Sequence, residues 1–202
     1  MIDTAFLDET RSRCMACKKC GLASTRTNVV FSDGNPSAKI MLIGEAPGAD
    51  EDAQGLPFVG RSGKLLDRIF ESVGFIRAEH IYICNTVKCR PPGNRVPTLE
   101  EKASCREYLD AQIETLKPRI ILLCGGVAAK SMMPNADVGI TKLRGRWFDA
   151  PAGLIGAEGA KMMPIFHPSY LLRNEQRTEG SPKWLMWQDM QEIKRAYDAL
   201  SE

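Results

Sequence analysis

Four short runs made entirely of apolar residues constrain this chain's fold more than any other feature: Ile40–Ile43, Ile81–Cys84, Ile120–Cys124 and Met162–Phe166. A strand with one face in water alternates apolar and polar side chains. Runs without alternation suit strands covered on both faces, as in parallel sheets. Parallel neighbours need crossovers, and helical patterns lie between and after the runs. Leu65, Leu66, Ile69, Phe70 and Val73 recur at helical spacing. Thr98 and Glu101 form a capping box, with Leu109, Ile113 and Leu116 continuing one face. Ser181-Pro182 starts a further helix carrying Trp184, Trp187, Ile193, Tyr197 and Leu200. The expected class is α/β with a mainly parallel sheet. At 202 residues and 44% hydrophobic content, a single domain spanning 1–202 is expected.

No apolar run approaches the roughly 18 residues of a membrane span. The opening MIDTAFLDETRSRC has early acidic residues and no apolar core, so no secretory signal is expected and the cytoplasm is the expected compartment. The net charge of +2 leaves the partner undecided, because a brief contact with nucleic acid needs only a local basic patch. In a reducing compartment the seven cysteines are expected as core thiols, a catalytic thiol or metal ligands.

In open parallel sheets, chemistry sits in the loops after the carboxyl ends of strands. Those loops should follow Ile43, Cys84, Cys124 and Phe166, and three of them are unusual. The first runs Gly44-Glu45-Ala46-Pro47-Gly48-Ala49-Asp50-Glu51-Asp52, then Gly55-Leu56-Pro57-Phe58-Val59-Gly60-Arg61-Ser62-Gly63. Its glycines let backbone approach a ligand, and a helix opening near Ser62 could receive a phosphate. The alternative is a plain acidic surface loop. The second loop begins at Asn85, whose amide both donates and accepts, although asparagine also serves turns. The last is His167-Pro168-Ser169-Tyr170-Leu171-Leu172-Arg173. Of the two histidines, His80 reads as a surface or capping residue, and His167 falls at the functional edge.

Cys14, Cys17 and Cys20 are spaced C-x-x-C-x-x-C, with Cys89 and Cys105 far along the chain. Two close and two distant cysteines suit zinc or an iron–sulfur cluster, and spacing does not choose between them. Cys105 also fits a core position beside Leu109 and Ile113. Cys84 and Cys124 lie inside strand runs and read as core thiols.

Taken together, Cys17-x-x-Cys20-x-Leu22, Gly44-Glu45-Ala46-Pro47-Gly48, Pro57-Phe58-Val59-Gly60, Asn85-x-x-Lys88-Cys89-Arg90-Pro91-Pro92-Gly93-Asn94-Arg95 and His167-Pro168-Ser169-Tyr170 resemble the family 4 uracil-DNA glycosylases, the iron–sulfur branch of their superfamily. The resemblance covers nearly the whole chain. It implies a three-layer α/β/α sandwich around a four-stranded parallel sheet, and a [4Fe–4S] cluster on Cys17, Cys20, Cys89 and Cys105. Cys14 offers a competing pair with Cys17; Gly21-Leu22, Arg26 and Val29 favour Cys17 with Cys20. The substrate it implies is uracil-containing DNA, with free uracil as product and a monomeric enzyme. Gly44, Glu45, Ala46, Glu51, Phe58, Asn85 and His167 would bind uracil, with His167, Glu45 and Asn85 the catalytic set. Phe58 would stack on the base, Glu51 wall off C5, and Leu171 fill the vacated stack, with Tyr170 and Leu172 as its nearest competitors. Ser62, Ser169, Arg90 and Arg95 would contact DNA, with Lys88 adding to the basic patch. Relatives that trap DNA covalently carry a loop histidine; Arg90–Pro97 has none, so normal turnover is expected. Many superfamily members have an aspartate where Ala46 stands, which leaves the water-activating group open.

Two other readings account for the cysteines alone: an iron–sulfur redox or electron-transfer protein, and a zinc-containing nucleic-acid module. Neither explains why Glu45, Phe58, Asn85 and His167 all fall at strand ends.

Overall fold

The computed structural model describes residues 4–133 and 138–200; residues 1–3, where the leader reading begins, lie outside it. In chain order the elements are α1 (Thr4–Met15), β1 (Asp33–Gly34), β2 (Ile40–Gly44), α2 (Ala49–Gln54), α3 (Arg61–Glu71), α4 (Arg77–His80) and β3 (Ile81–Asn85). Then follow α5 (Leu99–Leu116), β4 (Ile120–Cys124), α6 (Gly126–Met132), α7 (Ile140–Leu143), β5 (Phe148–Asp149), β6 (Lys161–Ile165), α8 (Pro168–Arg173) and α9 (Pro182–Ala199).

The four apolar runs form the parallel centre of one sheet ordered β1-β3-β2-β4-β6-β5. The sheet has six strands among the described residues, not four. Asp33–Gly34 and Phe148–Asp149 add two-residue antiparallel strips at its edges. Strips that short leave no periodic pattern in a sequence. The central strands start level: Ile40 faces Ile81 and Ile120, and Ile120 faces Lys161. Their carboxyl ends therefore share one edge, where Gly44, Asn85 and His167 lie.

Alternate strand residues feed two cores, giving the three layers that the resemblance implied. Met41, Ile43, Tyr82, Cys84, Ile121 and Leu123 pack against α1 and α5. Ile40, Leu42, Ile81, Ile83, Leu122 and Cys124 pack under α3, α8 and α9. Cys84 and Cys124 are fully buried core thiols. The capping box of α5 is present: Glu101 N–H donates to Thr98 Oγ1 at 3.1 Å, and Thr98 N–H donates to Glu101 Oε2 at 2.8 Å. His80 caps α4 by accepting from Ile76 N–H at 3.0 Å. Among the described residues no helix is long and apolar enough to cross a membrane.

Candidate active site

The loops after β2, β3 and β6 enclose a cavity of about 390 Å³ at the carboxyl edge. Glu45, Ala46, Glu51, Phe58, Ser62, Asn85, Arg95, His167, Ser169 and Arg173 all line it. The loop after β4 contributes room instead of a side chain. A Cβ on Gly125 would stand 3.1 Å from that of His167.

Phe58 is held in an unusual backbone conformation, with φ of +53°. A non-glycine residue enters this region only where its surroundings fix it. Arg77 holds the loop from one side, donating to Pro57 O at 3.1 Å and Phe58 O at 2.8 Å. Asp33 and Asp67 anchor the same guanidinium, each at 2.9 Å. From the other side, Glu51 Oε1 accepts from the amides of Val59 and Gly60, both at 2.9 Å, and its Oε2 accepts from Gly48 N–H at 3.1 Å. Nothing in the local sequence of Arg77 marks it for this task, because both its carboxylates come from other elements. Arg77→Met is expected to lower the unfolding free energy by about 2–3 kcal/mol, since it strands two carboxylates and two carbonyls. An unchanged denaturant midpoint would show that the clamp holds nothing.

Gly44 lets Phe58 and Asn85 meet. A Cβ there would lie 2.3 Å from Asn85 Oδ1 and 2.7 Å from the Phe58 ring. Asn85 is buried, and its Oδ1 is one of two buried side-chain oxygens without a hydrogen-bond partner among the described residues. Such an acceptor costs free energy unless a ligand fills it. The backbone beneath is fixed from within. Lys88, fully buried, donates from Nζ to Asn85 O at 2.8 Å and to Gln112 Oε1 at 2.5 Å. Gln112 in turn donates to Phe31 O at 3.2 Å and Tyr82 Oη at 2.9 Å. Lys88 was expected in a surface basic patch. The structure places it inside the protein instead, because these acceptors satisfy its amine.

His167 begins α8, and its Nδ1 accepts from Ser169 N–H at 3.1 Å and lies 2.8 Å from Ser169 Oγ. An accepting Nδ1 carries no proton, so the neutral ring bears its proton on Nε2. Burial, reinforced by the Arg173 cation and opposed by Glu51, lowers its pKa from 6.5 to about 4. Its ring lies 5.9 Å from that of Phe58. Burial also raises the pKa of Glu45.

Other expected residues fall less neatly. Leu171 is 1% exposed and belongs to the core under α8, so a wedge role does not fit this geometry. One position along the six-residue helix, Leu172 is half-buried. Arg90 does not line the cavity; it donates to Asn94 Oδ1 at 2.8 Å, and Asn94 does. Arg95 lines the cavity while paired with Glu101 through both nitrogens. Arg173, which sequence reading did not single out, stands in the wall without an ion-pair partner among the described residues.

A family model described as the uracil DNA glycosylase superfamily matches residues 31–191. A type-4 uracil-DNA glycosylase of Thermotoga maritima is 48% identical over 169 residues, 84% of each chain. One of Archaeoglobus fulgidus is 40% identical over 176 residues, 86% of each. The chain belongs to the uracil-DNA glycosylase superfamily, with its type-4 members. A type-5 uracil-DNA glycosylase of Pyrobaculum aerophilum is more distant, at 27% over 158 residues, 71% of this chain and 67% of that one. The family resemblance expected from the loop motifs is borne out.

This superfamily member also gathers sulfur away from the active-site cavity. Cys14, Cys17, Cys20, Cys89 and Cys105, none of them in a disulfide, line one small cavity of about 20 Å³ with Arg26, Lys88 and Tyr108. Arg26 donates to Cys89 Sγ at 3.2 Å, and the Lys88 amide donates to Cys105 Sγ at 3.3 Å. Burial pushes the Cys14 thiol to about 12 and Cys105 to about 11, and raises Cys89. Among the described residues no three His, Cys, Asp or Glu side chains are disposed around a single metal ion.

Proposed function

We propose that this chain removes uracil from DNA by hydrolysing the N-glycosidic bond of a flipped uridine, releasing free uracil and leaving an abasic site. One observation carries the reading. The unpartnered Asn85 Oδ1 sits beside an aromatic ring, in a cavity shared with a neutral histidine. Uracil offers N3–H to that oxygen and O4 to the Asn85 amide NH₂; cytosine reverses both. Phe58 stacks on the base, and such stacking contributes about 1–3 kcal/mol. Stacking does not discriminate between bases, so Asn85 does. Glu51, pinned by three amides, walls off C5, where thymine carries its methyl. Gly44 and Ala46 keep the floor free of bulk.

As the bond breaks, negative charge develops on uracil. His167 Nε2–H donates to O2, a donor aimed at charge that appears only in the transition state. Glu51 is committed to three amides, so Glu45 is the cavity carboxylate left to orient water and face the cationic sugar. Ser62, Ser169, Arg95 and Arg173 contact phosphates. Arg90 acts through Asn94.

The thiol cavity fits an iron–sulfur cluster, since its donors are all sulfur and N–H groups already face two of them. Cys17, Cys20, Cys89 and Cys105 would hold a [4Fe–4S] cluster that cross-links the N-terminal segment, the loop after β3 and α5. Cys14 borders the same cavity. The enzyme works as a cytoplasmic monomer.

The test is an oligonucleotide with one uracil, incubated with brown, iron-containing protein. Free uracil and an alkali-labile site are expected. Iron-loaded protein that releases none leaves only the redox reading. Colourless protein with bound zinc overturns the cluster.

A further inference from the structure

Helix α8 separates two hollows. On one side Ser169 and Arg173 line the active-site cavity. On the other, Leu171 and Leu172 line a groove of about 670 Å³ between α3, α8 and α9. Leu65, Ile69 and Met186 form its apolar floor. Trp184 and Trp187 stand along it, Trp187 being 53% exposed. Arg68, Arg177 and Lys183 rim it against a single carboxylate, Glu175. None of these three cations makes an ion pair among the described residues.

We infer that this groove is a second nucleic-acid site, taking unpaired bases of the strand that leaves the active-site cavity. This rests on the glycosylase reading. An exposed indole with a half-buried one beside it, among unpaired cations, suits a single strand held without regard to sequence: bases stack and phosphates pair. An apolar protein segment would match the floor but would leave the rim cations unmatched. Crossing one helix spans about 10–12 Å, about three nucleotides of B-form rise. The bases in the groove therefore lie about three positions or more from the uridine, on one side only.

The experiment compares uracil release from two single-stranded substrates, a 12-mer and a trimer with one nucleotide flanking the uracil on each side. Trp187→Ala is expected to raise KM about 10-fold on the 12-mer, within the range of one lost base stack. Its kcat should not change, nor should either constant on the trimer. Moving the uracil to one end of the 12-mer should abolish the difference, and moving it to the other should not. With Arg177→Ala and Lys183→Ala combined, the salt dependence of binding a uracil-free 12-mer should flatten by about 0.7 per cation. That oligonucleotide should also quench the tryptophan fluorescence of the unaltered protein. Equal KM changes on both substrates, or none on either, would overturn the site. So would quenching that follows protein concentration without DNA, which would assign the groove to a second copy. If the unaltered protein releases no uracil, the glycosylase reading fails, and the groove then stands or falls on quenching and salt slope alone.

Discussion

Replacing His167 with alanine is expected to cut kcat for uracil release by about 10²–10³, with KM held within a few-fold. That is the scale on which one donor aimed at developing charge contributes. The imidazole makes little difference to the ground state, because uracil O2 acquires its charge only as the bond breaks. Steady-state kinetics with a single-uracil oligonucleotide would decide it; a loss confined to KM would make His167 a binding residue. The pH profile is a second readout. With the pKa lowered to about 4 by burial and Arg173, the ring stays neutral through the physiological range. Glu45, whose pKa burial raises, sets its own acid limb in kcat; His167 adds none from pH 8 to about 5 and a further fall through about 4, where a protonated Nδ1 stops accepting from Ser169 N–H. Arg173→Gln removes a nearby cation, so the His167 limb moves to higher pH. Stability follows the same sign. The unfolded chain takes up the proton first, so His167 contributes fully above about 6.5, and the contribution fades as pH falls toward 4. The whole span is at most about 3 kcal/mol.

Asn85→Ala should separate activity from stability. Removing two hydrogen bonds to the base is expected to lower kcat/KM for uracil by about two orders of magnitude. Folding should be unharmed or slightly favoured, because truncation deletes a buried acceptor that has no partner within the protein among the described residues. The supporting bond from Lys88 goes to the Asn85 main chain and survives the change. Paired assays of uracil release and thermal midpoint test this. Retained activity would remove Asn85 from base recognition, and a large drop in midpoint would make it a fold determinant.

The parallel core was legible because burial on both faces leaves an unbroken apolar run, and α5 because its capping box is local. Sequence also brought Glu45, Phe58, Asn85 and His167 to one edge, since loops after parallel strands must meet there. What stayed hidden depends on contacts far along the chain. Arg77 reaches Asp33, Lys88 reaches Gln112, and nothing within a few residues of either cation announces its partner. Leu171 and Leu172 are alike in composition, and only the placement of α8 decides which turns inward. Edge strips β1 and β5 are too short to carry a pattern.

The clamp on residues 57–60 has an entropic consequence. Ordering a residue's backbone costs about 1–2 kcal/mol. Arg77 and Glu51 impose that cost when the chain folds, and the left-handed turn at Phe58 is already set before any base arrives. A lone pyrimidine makes few contacts and could not itself supply the several kcal/mol needed to organise a loose loop. On the proposed reading, preorganisation is what would let so small a ligand be captured.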